Sequence, residues 1–170
     1  MDAVSLLKSA FDASHFWYQG TVADVTEEVA NVVPAGTAHP IGSLMAHTVQ
    51  SEDGLINMVQ GKQSLWEREG YGERLGLPML MSQTAETSRS FRCDPSKLAD
   101  YTNAVYAQTA AYFDSLEPAD LERGVDMSAW GMDEMPLGQV LTTFALGNNF
   151  AHTGEISALK GTQGLKGYPF

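Results

Sequence analysis

The chain is poor in several groups that would decide its class at once. It has one cysteine, Cys93, so no intrachain disulfide can form and no thiolate metal spacing exists. Basic residues are scarce: Lys and Arg number 10 against 21 Asp and Glu, a formal charge of −11. Such a surface repels phosphate, and no Lys/Arg cluster stands out locally, so neither nucleic acid nor an anionic membrane is expected as a partner. No apolar run approaches the ~20 residues that a membrane span requires. Alternating Val/Ile/Thr runs and Asn-Gly or Asp-Gly hairpins are missing, which argues against a sheet. No internal repeat of roughly 20–50 residues is visible. The N-terminus opens with Asp2 and turns amphipathic at once, so no leader is expected. The expected compartment is a reducing cytoplasm, and Cys93 reads as a bystander thiol just before a helix.

What remains is an ordinary composition, 44% hydrophobic and 18% charged over 170 residues, enough for one domain with a proper core. Helical periodicity appears four times. Helix one, roughly Ala3–Val22, carries Val4, Leu7, Phe11, His15, Tyr18 and Val22 on one stripe. The segment Asp24–Thr37 follows, with room for one further turn. Helix two, roughly Pro40–Gln60, carries Ile41, Leu44/Met45, Thr48, Glu52, Leu55/Ile56 and Val59, and Gly61 ends it. Glu52 is central on that face and His47 lies on its flank. Helix three, roughly Pro95–Leu116, has Asp94 as N-cap, Pro95 at its first position, and a stripe of Leu98, Tyr101/Thr102, Val105, Thr109, Tyr112/Phe113 and Leu116. His39, just before Pro40, reads as a cap or surface residue.

Helix four, Leu137–Leu159, reads at 100° per residue as Leu137, Val140/Leu141, Phe144, Ala151, Ile156 and Leu159. Asn148, His152 and Glu155 interrupt that stripe. A polar group buried without a partner costs roughly 1–3 kcal/mol, so this face is expected to line something other than plain core.

Four helices of this length make an all-α four-helix bundle, a single domain over residues 1–170. The long connection Lys62–Asp94, with a short helix at Ser64–Glu69, can span a helix length and make a crossover. Helix three then runs parallel to helix two, with helix four antiparallel to both. Trp66 and Tyr71 are placed to cover a bundle end; Met79, Met81, Met127, Met132 and Met135 read as filler over it. In that topology His15, His47 and His152 fall near one height, and imidazoles from facing helices are good ligands for zinc, nickel, iron or copper. The bland alternative is three independent, hydrogen-bonded histidines.

These residues resemble a known family. His152-Thr-Gly-Glu-Ile156, with Asn148 one turn earlier, is similar to the His-x-x-x-His-x-Gly-Gln/Glu-Ile end of the DinB-like (YfiT-like) four-helix-bundle superfamily. Pro40-Ile-Gly-Ser-Leu-Met-Ala-His47, with Glu52 beyond, resembles its second-helix motif, and Leu65-Trp-Glu-Arg-Glu-Gly70 with Arg74-Leu-Gly-Leu-Pro78 resembles a crossover segment of one subgroup. The resemblance implies an up-up-down-down bundle, often a homodimer. It also implies a divalent-metal site, zinc or nickel foremost, built from one helix-two and two helix-four histidines. Characterised relatives use low-molecular-weight thiols as S-transferases or isomerases acting on small molecules; many members have no known activity. Here His47 and His152 match two ligands, while the third position is Asn148, a weaker and less selective ligand. Three arrangements stay open: Asn148 ligates, weakly or through water; His15 supplies the third nitrogen; or the metal is lost and a polar pocket remains. Glu52 and Glu155 read as groups that orient the imidazoles. A non-catalytic binding or stress-response bundle is the competing reading.

Overall fold

The computed structural model describes residues 1–76 and 85–170; the stretch with Pro78, Met79, Leu80 and Met81 lies outside the described residues. Helix α1 spans Ala3–Val22 and is capped by Asp2, whose carboxylate accepts the Ser5 amide at 2.8 Å. Thr26 caps the single turn α2, Glu27–Ala30. Helix α3, Ile41–Met58, begins one residue later than the sequence suggests: Pro40 is extended and serves as N-cap. Gly61, at a φ of 66°, reverses the chain, and the Lys62 amide reaches back to the Asn57 carbonyl at 2.9 Å.

The crossover carries three short helices, α4 (Leu65–Arg68), α5 (Tyr71–Leu75) and α6 (Ala85–Ser90). Asp53, buried inside α3, accepts the Leu65 and Trp66 amides at 2.9 and 2.8 Å and the Tyr101 hydroxyl at 2.7 Å. One carboxylate thereby satisfies two of the open amides of α4, the Ser64 hydroxyl taking that of Glu67, and ties α4 to helix α7, Pro95–Asp114. Asp94 caps α7, accepting the Ser96 amide. Two 3₁₀ turns follow, Pro118–Glu122 and Ser128–Trp130. The strand signals missed one feature: β1 (Gly124–Val125) and β2 (Met135–Pro136) pair antiparallel. Two residues per strand are too few for an alternation to show.

The last helix is continuous but not uniform. Its first turn α8 (Leu137–Val140) passes into a π-helical segment, Leu141–Leu146, and then into α9, Gly147–Thr162. In the π segment the Gly147 amide bonds the Thr142 carbonyl, five residues back. The wider turn accommodates one extra residue. The buried stripe therefore runs Leu137, Val140, Leu141, Ala145, Asn149, Thr153, Ile156 and Lys160. Ile156 falls where the uniform 100° step places it, whereas Ala145, Asn149, Thr153 and Lys160 are each one residue later than Phe144, Asn148, His152 and Leu159 of the expected face. Asn148 and His152 consequently sit half-buried on the flank, and Glu155 is exposed.

The bundle packs α1 and α3 each against α7 and α9. One apolar cluster joins Val4 and Phe11 to Leu55, Ile56, Phe113, Leu137 and Val140. The other joins Tyr18 to Ile41, Leu44, Leu98, Tyr101 and Ile156. The start of α1 thus meets the ends of α3 and α7 and the start of the last helix. So α3 and α7 run parallel, with α1 and the last helix antiparallel to them, as the crossover requires. Each large apolar side chain fully withdrawn from water contributes about 1.5–3 kcal/mol. Trp66 and Tyr71 close one end against Tyr101, and Met127, 1% exposed, fills the other.

Candidate functional site

Two polar constellations lie between the helices. The first is a layer across the bundle interior to which all four long helices contribute. Glu52 of α3 is its hub, 1% exposed. His15 Nε2 of α1 lies 3.0 Å from both Glu52 oxygens, Thr109 Oγ1 of α7 donates at 2.6 Å, and Asn149 Nδ2 of α9 donates at 2.5 Å. A carboxylate only accepts, so His15 Nε2 carries the proton. Tyr106 of α7 stacks on the His15 ring, centroids 3.6 Å apart and planes 9° off parallel. Burial, aided by Tyr18 and Glu52, pushes the Tyr106 hydroxyl well above its ordinary range. With His15 and Thr109 on one oxygen and His15 and Asn149 on the other, Glu52 is occupied by protein donors.

The second constellation is a pair of imidazoles between α3 and α9. His47 and His152 meet edge to face, ring centroids 4.8 Å apart. His152 Nδ1 bonds the Glu155 carboxylate at 2.5 Å, one turn on. With the Nδ1 proton directed at that carboxylate, Nε2 is the ring nitrogen on the far side from Glu155. Ser51 Oγ lies 3.3 Å from His47 Nε2. Asn148, one turn before His152, has its Nδ2 buried without a hydrogen-bond partner. Amide nitrogen and oxygen are interchangeable by a flip of the carboxamide, so this buried atom can equally be an acceptor oxygen.

The three-histidine level expected from the sequence therefore divides. His47 and His152 come together. His15 does not join them: its Nε2 is committed to Glu52. Glu52 likewise orients His15 rather than His47, whereas Glu155 does orient His152. His39 is not a free surface residue, since its Nδ1 lies 2.6 Å from Ser88 Oγ, which in turn lies 2.8 Å from Ser43 Oγ. Cys93 is 1% exposed, and burial beside Asp94 and Glu27 pushes its thiol up to about 12, an unreactive state. Sequence reasoning missed Asn149, Tyr106 and Asp53 as members of polar networks. Asn149 was hidden by the π segment. Asp53, adjacent to Glu52, shared its signal of an acid in an apolar run.

Among the described residues, no three His, Cys, Asp or Glu side chains converge to hold a metal ion. The donors at the imidazole pair are instead its two rings, with the Asn148 carboxamide one helical turn before His152. Two imidazoles on one tetrahedral ion, at metal–nitrogen distances of about 2.0–2.1 Å, place their ring centres about 5 Å apart. The observed spacing of 4.8 Å is close to that value, and the unpartnered Asn148 amide has the chemistry of a third, weaker donor.

A sequence profile described as the DinB superfamily matches residues 11–156, from α1 through α9. The chain belongs to the DinB superfamily. Among solved structures, this DinB-superfamily chain is similar to the conserved protein of a locus from Enterococcus faecalis. The TM-score is 0.81 at 23% identity, covering 94% of this chain and 96% of that one, a likeness of fold. No curated protein matches it. The DinB-superfamily assignment places His47 and the Asn148/His152 turn within the matched span. No described helix is long and apolar enough to cross a membrane.

Proposed function

We propose that the chain binds a divalent transition metal, zinc or nickel, through His47, His152 and the Asn148 carboxamide, and uses it to act on a small molecule. The observation that carries this reading is the His47–His152 pair with Glu155 on the far nitrogen of His152. A carboxylate behind a ligating imidazole fixes its tautomer and raises its basicity. When bound, such an ion lowers the pKa of a water or small thiol that it carries. The chain's own contribution is orientation: Glu155 holds His152, Ser51 holds His47, and the Asn148 carboxamide would serve as a weak third donor. The reaction class that follows is transfer of a low-molecular-weight thiol or of water to an electrophile, in a cytoplasmic homodimer.

A second reading has its own support. An amide at position 148 selects transition metals less well than an imidazole, and the pair then lines a metal-free polar pocket of a non-catalytic bundle. Metal analysis of untagged protein, incubated with zinc or nickel and then desalted, separates the two. The first reading predicts close to one equivalent, abolished by His152→Ala and bound more tightly in Asn148→His. Less than about a tenth of an equivalent would sink it, since a folded site retains its ion through desalting.

A further inference from the structure

Away from the imidazole pair, a cleft of about 440 Å³ opens between the end of α1 and the start of α7, floored by Met45 of α3. Met45 is two residues from His47, about 200° around the helix, so the cleft and the imidazole pair occupy different sides of α3. We propose that this cleft binds a small, uncharged, mainly apolar molecule carrying one hydrogen-bonding group.

Three observations carry the proposal. The first is charge. Among the described residues, no Asp, Glu, Lys, Arg or His lines the cleft, although the chain carries 31 charged residues, the 10 basic and 21 acidic together. An ion entering it would lose water and gain no counter-charge. The second is the state of the polar groups in the lining. The Tyr18 hydroxyl is spent on the Met45 carbonyl at 3.1 Å, the Thr102 hydroxyl on the Leu98 carbonyl at 2.8 Å, and the Ser96 hydroxyl on Asp94 at 2.6 Å. The exposed carboxamides of Gln19 and Asn103, one on each wall, remain to meet a single polar end. The third is shape. Ala23 and Ala99 face the space from opposite walls and leave it open, while the Met45 thioether gives the floor an adaptable surface. The volume lies within the range of small-molecule pockets, about 300–1,000 Å³.

The floor also touches the interior layer. Tyr18 meets Tyr106 edge to face at 6.3 Å, and Tyr106 stacks on His15. An occupant therefore rests one ring away from the Glu52 network.

The test titrates the full chain with N-phenyl-1-naphthylamine, an uncharged fluorescent probe, in parallel with its anionic sulfonated analogue. Saturable binding of the neutral probe alone is expected. Ala99→Trp, or Ala23→Trp as the second variant, fills the cleft and weakens binding by roughly tenfold or more at unchanged far-ultraviolet circular dichroism. Thr142→Trp, in the groove between α1 and the last helix, leaves binding unchanged. The proposal is overturned if the neutral probe does not saturate, if the anionic probe binds as well, or if only Thr142→Trp weakens binding. It is equally overturned if sedimentation shows a dimer that Ala99→Trp dissociates, because the occupant is then a second copy of the chain.

Discussion

Glu52 is a buried acceptor whose two oxygens are both occupied, and its partners come from three other helices. Removing the acceptor of a buried hydrogen-bond network leaves its donors unsatisfied, at about 1–3 kcal/mol for each stranded group. Glu52→Ala, which strands His15, Thr109 and Asn149, is therefore expected to lower unfolding free energy in urea by at least about that amount; a loss under about 1 kcal/mol would mean that the layer is not held as described. Cys93 makes a different prediction. Its thiol titrates near 8.5 in an unfolded chain but is pushed up to about 12 by burial in the folded one. The folded chain thus keeps the proton longer. The stability tied to the thiol is complete below the unfolded value and is lost as pH rises from there through the folded value. Tyr18, Tyr101 and Tyr106 are also shifted upward by burial, so the thiol is isolated by difference. Cys93→Ala should flatten the alkaline limb of stability against pH, and a disulfide-exchange reagent at pH 8 should label Cys93 only on unfolding.

At the scale of elements, the π segment explains both what the sequence made legible and what it hid. α1, α3 and α7 are uniform, so a 100° step places their buried faces correctly, His15, Glu52 and Thr109 included. Asp94 and Pro95 announced the start of α7 through chemistry that is local to those residues. The last helix was legible at Leu137, Val140, Leu141 and Ile156 but one position out of phase at Phe144, Asn148, His152 and Leu159, because no residue type marks a π turn. That shift made Asn148, His152 and Glu155 look like intruders on an apolar stripe and hid Asn149, which is the core residue. Pairing of His47 with His152 was recoverable because it follows from helix direction. The separation of His15 was not, since it depends on which side of the interior each ring takes. If the π segment holds one surplus residue, deleting exposed Thr143 should restore an ordinary helix with every contact retained. The expected result is an unchanged or higher urea midpoint. Deleting exposed Ala151, beyond the π segment, should instead swing His152 and Thr153 by about 100° and lower the midpoint sharply.

For the whole molecule, the interior alternates: an apolar cluster, the Glu52 layer, and a second apolar cluster. The net charge of −11 acts on the outside of this arrangement. Self-repulsion of that size opposes the compact state, and salt screens it. Raising ionic strength from about 10 to about 150 mM, which shortens the Debye length from about 30 to about 8 Å, should raise the thermal midpoint. A fall would show that attractive surface pairs such as Lys8–Asp114 outweigh the repulsion. The Asp53 carboxylate has a consequence for cooperativity. α4 supplies two of its donors, α7 a third and Asn57, one turn on in α3, a fourth. One side chain thereby couples a local contact, the crossover on α3, to a distant one, the seating of α7, so loosening either leaves a buried carboxylate short of donors. Trp66 stands at that junction, its ring 5.3 Å from Tyr101, so its emission reports whether the two are joined.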